Sequence, residues 1–458
     1  MRPIPSSIRT LLKNKIMLGA NGPTQQVILL DKPVGEGLTN AVPAKRIWLS
    51  REEDAIAQRC TIEFDNVNPV DHKDPGYYMP YRTNEFTGHI QNEWHFQLIP
   101  SKRISVQLGY GSELVDVFLG SIDDVIFNAE PGGYSVTLDC RDLGSILVDD
   151  MMIGDDPDEP YWVAFADMDV SNIVKTALLA KGWTSENVTV DLSGLILDID
   201  FERQTVADLI DWAIDVTGYQ FYIDENGKAF FVEATDKNPR SSDETFVCTQ
   251  GEEISLGHWP IVLDSQEVRS APSGGGTLFT KDTDYTINFS TGKLVPIVGG
   301  GIASSSTIYV SYVYAAWVFR HGEDIFRLPY TLSRRNQYGK IVVEGDGESA
   351  TWEAPSPAWD TRTTSPNRVM FVSKPEATEI SECQAIADKM GLDMLRRYGT
   401  VEFAAVAVPW LQVGDCIQVI EYSSTVSEIY RIVSVEFEYS PGNAVMTIRA
   451  YHFGYSAI

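Results

Sequence analysis

The sequence predicts a multidomain, mainly β protein in which two β units of related sequence enclose a small α+β domain and an inserted β module. Three observations predict it. Alternating apolar and polar runs dominate both the first third and the end of the chain. A β-hairpin pattern near residue 122 returns 310 positions later. Between the copies stand two helical patterns with start and stop signals, followed by a hairpin turn.

The repeat joins "IDDVIFNAEPGGYSVTL", Ile122 to Leu138, to "IVSVEFEYSPGNAVMTI", Ile432 to Ile448. At this shift Ile122 falls on Ile432, Val125 on Val435, Phe127 on Phe437, Pro131-Gly132 on Pro441-Gly442, Thr137 on Thr447 and Leu138 on Ile448. Two copies are too few for a solenoid, which needs at least about three stacked repeats. They suit quasi-symmetry instead, since a ring of n such chains presents 2n similar modules.

Element by element, "CTIEFDN", "ISVQLGYG" and "ELVDVFLGSI" alternate and are bounded by Gly, Asn or Asp. Short strands at this spacing read as a small barrel or a sandwich. In "NAEPGGY" Pro131 fixes φ, while Gly132 and Gly133 can supply positive φ for a tight turn. "DVSNIVKTALLAKG" places Val170, Ile173, Val174, Ala177 and Leu178 on one helical face, with Gly182 as a stop. "TVADLIDWAIDVTG" is a second helix, capped by Thr205, with Asp208 near its positive end and Gly218 at its close. "YQFYIDENGKAFFVEA" then reads as a hairpin turning at Asn226-Gly227. From about 240 to 315 two triple-glycine loops, Gly274–Gly276 and Gly299–Gly301, separate alternating runs, the pattern of an inserted β module. A third helix fits residues 376–398, with Glu376, Glu379 and Glu382 early, Arg396 and Arg397 late, and Gly399 after it. The chain ends in strands, with the last expected to reach residue 451.

Composition excludes several function classes. A chain of 458 residues is long enough for about three domains. Its 43% apolar and 22% charged residues are those of an ordinary globular protein. The net charge of -28 repels nucleic-acid phosphates and anionic membranes alike, although it suits a channel that DNA passes without sticking. Cys60, Cys140, Cys248, Cys383 and Cys416 form no CxxC pair and read as buried free thiols of a protein that folds in a reducing cytoplasm. The cationic Arg2, Arg9, Lys13 and Lys15 precede an apolar run too short for a signal peptide. No window approaches the ~20 apolar residues of a membrane-spanning helix.

Catalytic motifs are missing. There is no GxSxG, HExxH or GxxxxGK[ST], and the glycine triplets lack the Lys-Ser/Thr of a phosphate loop. In "HIQNEWH" the histidines His89 and His95 lie six positions apart, ~20 Å along a strand at ~3.3 Å per residue, too far to share an ion. The acidic run of Asp149, Asp150, Asp155, Asp156, Asp158 and Glu159 departs from the EF-hand pattern and reads as a solvated linker. With 64 acidic residues, a glycosidase-like carboxylate pair cannot be picked out. Tryptophans from Trp94 to Trp410 are scattered over every region, as core or interface anchors are. The residues therefore nominate no catalytic, cofactor-binding or metal-ligating side chain, and no cofactor.

The order of three pieces carries a family resemblance. They are "VDVFLGSIDDVIFNAEPGGYSVTLDCRDLGSIL", then "TVADLIDWAIDVTGYQFYIDENGKAFF", then "LQVGDCIQVI" followed by "YRIVSVEFEYSPGNAVMTIRAY". They span about residues 100–239 and 376–458, and in this order the chain resembles the tail hub and baseplate hub proteins of tailed bacteriophages and contractile injection machines, including the late control protein D family. The module near 240–315 lies outside the pattern, and the first ~55 residues match it only loosely.

The resemblance implies two tube-type β-barrels per chain and a homotrimer, whose six barrels match a six-fold tail tube while its three-fold symmetry fits the tip. Together with the run of elements it gives domains at 1–148 (first barrel), 149–239 (α+β), 240–318 (inserted module) and 319–458 (second barrel, including the helix near 376–398). Implied partners are the tail tube protein or distal tail protein, the tape-measure protein, and central spike or tail fibre proteins. DNA would pass through the lumen without specific binding. The implied role is structural rather than enzymatic, in the virion tail tip or baseplate, with assembly in the host bacterial cytoplasm. Some hubs carry an appended lysozyme or peptidase domain; the seven residues expected after the last strand leave no room for one there. Two other readings stay open: a tail-tip receptor- or carbohydrate-binding protein that recognises its target through the module, and a tail-associated cell-wall hydrolase.

Overall fold

The computed structural model describes residues 23–30, 41–42, 44–53, 55–65, 98–130, 133–154, 161–233, 240–262, 265–289, 291–328, 330–331, 338–354, 368–396, 400–421 and 426–452. The histidines His89 and His95, the turn residues Pro131 and Gly132, and the acidic positions Asp155 to Glu159 lie outside them.

The protein is multidomain and mainly β. Its largest sheet has 14 strands, numbered here β1 to β14. The first seven are β1 (Pro23–Leu29), β2 (Ala41–Val42), β3 (Arg46–Glu52), β4 (Arg59–Asp65), β5 (Arg103–Tyr110), β6 (Glu113–Glu130) and β7 (Gly133–Asp142). The last seven are β8 (Trp317–Arg320), β9 (Ile325–Arg327), β10 (Tyr330–Thr331), β11 (Thr400–Val406), β12 (Cys416–Glu421), β13 (Val426–Ser440) and β14 (Asn443–His452). The order along the sheet is β2-β1-β5-β6-β7-β4-β3-β13-β14-β11-β9. Strand β10 also pairs with β11, and β12 joins β13 to β8.

The repeat read from the sequence is a repeat of structure. The run β5-β6-β7-β4 is matched by β12-β13-β14-β11, in the same order. Register follows the 310-residue shift pair by pair. Val125 faces Leu138 as Val435 faces Ile448, and Phe127 faces Val136 as Phe437 faces Met446. Even the irregularity repeats: a bulge falls between Ile122 and Asp124 in β6, and between Ile432 and Ser434 in β13. A bulge bends its strand and raises the local twist, so the same kink sits at the same place in both copies. One hydrophobic core serves both units, from Val27, Ile62 and Leu138 to Phe403, Ile432 and Ile448.

A second core belongs to the α+β unit, which holds α1 (Ser145–Asp149), α2 (Val170–Ala180) and α3 (Val206–Thr217). All five apolar positions expected on the face of α2 are buried. Thr205 and Asp208 form a reciprocal capping box on α3, and Gly218 ends that helix with φ +64°.

Helix α4 (Ile380–Arg396) departs from the expected domain plan. The sequence assigns it to the second barrel over 319–458, yet it packs on strands Lys340–Glu344 and Ser349–Glu353 and touches α3. Cys383, Ile386, Ala387 and Met394 share the core of α2 and α3. Periodicity exposes an apolar stripe but does not say what covers it; here a neighbouring three-stranded sheet and α3 do. The inserted module has its own core around Tyr285, Leu294, Ile308 and Val310, between two three-stranded sheets.

Candidate functional site: the junction of the two β units

Strand β3 of the first unit lies against β13 of the second, from Ser434 opposite Glu52 to Tyr439 opposite Ile47. This ladder fuses the two units edge to edge. Ile47, Leu49, Phe437 and Tyr439 along it are fully buried. The backbone pairing continues past β3, where the Glu53 N–H donates to the Val433 carbonyl at 2.8 Å. Beside it the Tyr110 hydroxyl of β5 donates to the Ala407 carbonyl of the second unit at 2.7 Å, in a buried position.

Three units meet at Glu53. Arg431 of β13 donates from Nη2 to Glu53 Oε1 at 2.6 Å, and both side chains are only 10% exposed. Gln220, at the start of a strand in the α+β unit (Gln220–Ile223), donates from Nε2 to the same oxygen. The loop bearing Glu53 is held by Gln58. Its Oε1 accepts from the Glu52 N–H at 2.8 Å, and its Nε2 donates to the Glu52 and Ala55 carbonyls at 3.0 and 2.9 Å. A buried carboxylate is tolerable only when paired and hydrogen-bonded, and here the pairing crosses unit boundaries. Gln412 Nε2 adds a 3.0 Å bond to Glu225 Oε2 between the second β unit and the α+β hairpin.

A second polar cluster ties the first β unit to the α+β unit. Arg141 of β7 donates from Nε to Asp123 Oδ2 at 2.5 Å, and from Nη1 and Nη2 to both carboxylate oxygens of Asp149 at 2.9 and 2.7 Å. Asp123 is the bulged residue of β6, so the bulge turns its carboxylate to a partner. Asp149, expected in a solvated linker, is instead the last residue of α1, and its hydrogen bonds from Arg141 lower its carboxyl from the ordinary value. Nearby, Asp142 is buried and accepts from the Gly144 N–H at 2.9 Å; burial pushes its carboxyl up to about 7.

The other features singled out in the sequence resolve into packing. All five cysteines are buried and outside any disulfide, with Cys60 and Cys140 facing each other across β4 and β7. The loop of Gly299–Gly301 is shaped around Asp284, which accepts the N–H groups of Thr280 and Gly301 at 2.7 Å each. A Cβ at Gly300 would lie 2.9 Å from the Asp284 Cα, so close backbone approach explains the glycine there. Trp317, Trp352 and Trp410 are core residues, Trp162 is exposed, and Trp94 and Trp359 lie outside the described residues. A cleft of about 400 Å³ separates the module from the second β unit, lined by Ile261, Ile287, Phe289, Val318, Arg320 and Ile420 among others. Among the described residues, no group of three or more His, Cys, Asp or Glu is placed to hold a metal ion. No helix there is long and apolar enough to cross a membrane.

Sequence reasoning missed the Glu53–Arg431–Gln220 meeting point because its members are separated by up to 378 residues and belong to no local motif.

No protein-family model and no curated protein matches the chain. Solved structures do. The tail protein from Neisseria meningitidis MC58 superimposes with a TM-score of 0.54 over 94% of this chain and 97% of its own, at 11% identity. The 43 kDa tail protein of prophage MuSo2 from Shewanella oneidensis gives 0.51 over 93% and 97%, at 12% identity. This chain has the tail-protein fold. The match runs nearly end to end on both sides, so the fold includes the module and the α+β unit as well as the repeated β units.

Proposed function

We propose that this chain is a structural virion protein, the trimeric hub of a phage tail tip or baseplate. Three copies form a ring of six β units that joins the six-fold tail tube to a three-fold tip, and DNA passes through its lumen. The observation that carries the reading is the repeat, whose two copies share strand order, register and bulge and are joined edge to edge within one chain. Duplicating a unit lets three chains present six equivalent surfaces. The net charge of -28 supports it, since acidic walls repel DNA and leave it free to slide.

In this reading residues 1–148 and 319–458 supply the two tube-like units, with strands 340–344 and 349–353 and helix α4 lodged beside the α+β unit of 149–239 and with 240–318 as an insertion. The ring's neighbours are the tube or distal tail protein on one side and the spike or fibre proteins on the other, with the tape-measure protein anchored at the lumen. The chain acts by holding geometry and not by catalysis, and its place is the virion tail.

The test is to delete this chain from the particle that encodes it and image the products. A hub leaves heads without completed tails. Complete tails that fail to adsorb would favour the receptor-binding reading, and complete tails that adsorb but enter poorly would favour the hydrolase.

A further inference from the structure

The strand pairing points to how one copy meets the next. The 310-residue shift carries β6 onto β13 and β7 onto β14, and it carries Arg141 onto Tyr451. Arg59 of β4 faces Arg141, and Thr400 of β11 faces Tyr451, so β4 and β11 are equivalent. Outside β4, Ser50 of β3 faces Arg59; outside β11, Thr331 of β10 faces Thr400. Strand β10 therefore stands where β3 stands.

Within the chain, the far edge of β3 is covered by β13 over residues 434–439, with Ser50 opposite Glu436. The counterpart contact is not made. Among the described residues, β10 pairs only with β11, and β6 beyond Ile122 pairs only with β7. Among the described residues two strand edges are thus unpaired, and they are the two halves of a contact that the chain already makes once. Burial agrees. Val435 and Phe437 are fully buried under β3, while their counterparts Val125 and Phe127 are only half-buried and Ile126 is 45% exposed. An open edge of this kind is a template for another strand.

We infer that Ile126 and Phe127 of β6 pair with Thr331 and Tyr330 of β10 in a second copy of this chain, antiparallel, with Ile126 opposite Thr331. The contact is head-to-tail, so each copy offers one edge and receives the other. Such a contact closes a ring when its rotation closes. Applying the same operation from unit to unit gives a continuous run of alternating first and second units. The inference rests on the ring reading above and deepens it by naming the surfaces that meet.

Cysteines placed at the two positions test it in the full-length chain. Ile126→Cys with Thr331→Cys in one chain, mildly oxidised, is expected to give a covalent three-chain species on a non-reducing gel. Each single variant alone should give none, and mixing the two singles should give covalent dimers. In parallel, native mass and hydrogen exchange are read on the unmodified protein. Peptide 124–129 is expected to be as protected as 434–439 in the assembled form and to exchange faster after dilution to monomer. A three-fold native mass with no cross-link and an unprotected 124–129 would overturn this pairing and leave the ring standing on other contacts. A monomer at every concentration, with no cross-link, would overturn the pairing and the ring together.

Discussion

At the scale of single residues, the junction is held by charges that the core tolerates only because they are paired. Truncating Glu53 to Ala leaves Arg431 with its guanidinium buried and uncompensated, which costs about 3 to 5 kcal/mol for a buried pair broken on one side. Replacing both partners with apolar residues of similar volume is expected to recover most of that loss, as urea or thermal unfolding of the single and double variants would show. If the single variant unfolds like wild type, Glu53 does not hold the junction together. Asp142 supplies a pH dependence. Its carboxyl is raised by burial to about 7, above its unfolded value, so between about pH 4 and 7 the folded chain holds a proton the unfolded chain has released. Stability from this group is therefore present at low pH and is lost as pH rises through that window. Asp142→Asn keeps an acceptor for the Gly144 N–H and should stabilise the protein at pH 8 by roughly 2 to 4 kcal/mol, with little effect at pH 4. Equal effects at both pH values would remove the titration argument. Gly391 is a third case. Alanine is favoured over glycine in a helix by about 1 kcal/mol, but a Cβ there would stand 2.2 Å from the Trp352 ring. Overpacking costs about 1 to 3 kcal/mol, so Gly391→Ala is expected to lower the melting temperature.

At the scale of elements, much of the fold was legible in the sequence, and the failures have physical causes. Helices α2 and α3 could be read because their caps and apolar stripes are local signals, and the β6–β7 hairpin because its period and turn recur at β13–β14. What could not be read was pairing between distant edges. The β3–β13 ladder is made of backbone groups, which every residue carries, so no side-chain pattern announces it. The placing of α4 failed for a related reason: an amphipathic stripe states that a cover exists, not which one. The junction charges were illegible because Glu53, Gln220 and Arg431 meet only after three units are assembled. The module yields a prediction at this scale. Its entry and exit strands pair, with Ser241 opposite Tyr312, so its ends are neighbours and its core is its own. Replacing residues 242–311 with a short turn should leave the remaining protein folded and able to self-associate, by circular dichroism and native mass. Aggregation of the shortened chain would mean that the cleft against Val318 and Ile420 is a structural contact the second β unit requires.

At the scale of the whole molecule, the proposed ring rests on one relation: two β units of the same register are fused at one junction within the chain. The tail-protein fold is matched over 94% of the chain. The most direct measurement is the native mass of the purified chain across concentration. A closed ring gives a discrete species at three times 50.9 kDa, with no open-ended series above it. A chain that stays monomeric at high concentration, or one that grows into unbounded filaments, would contradict it.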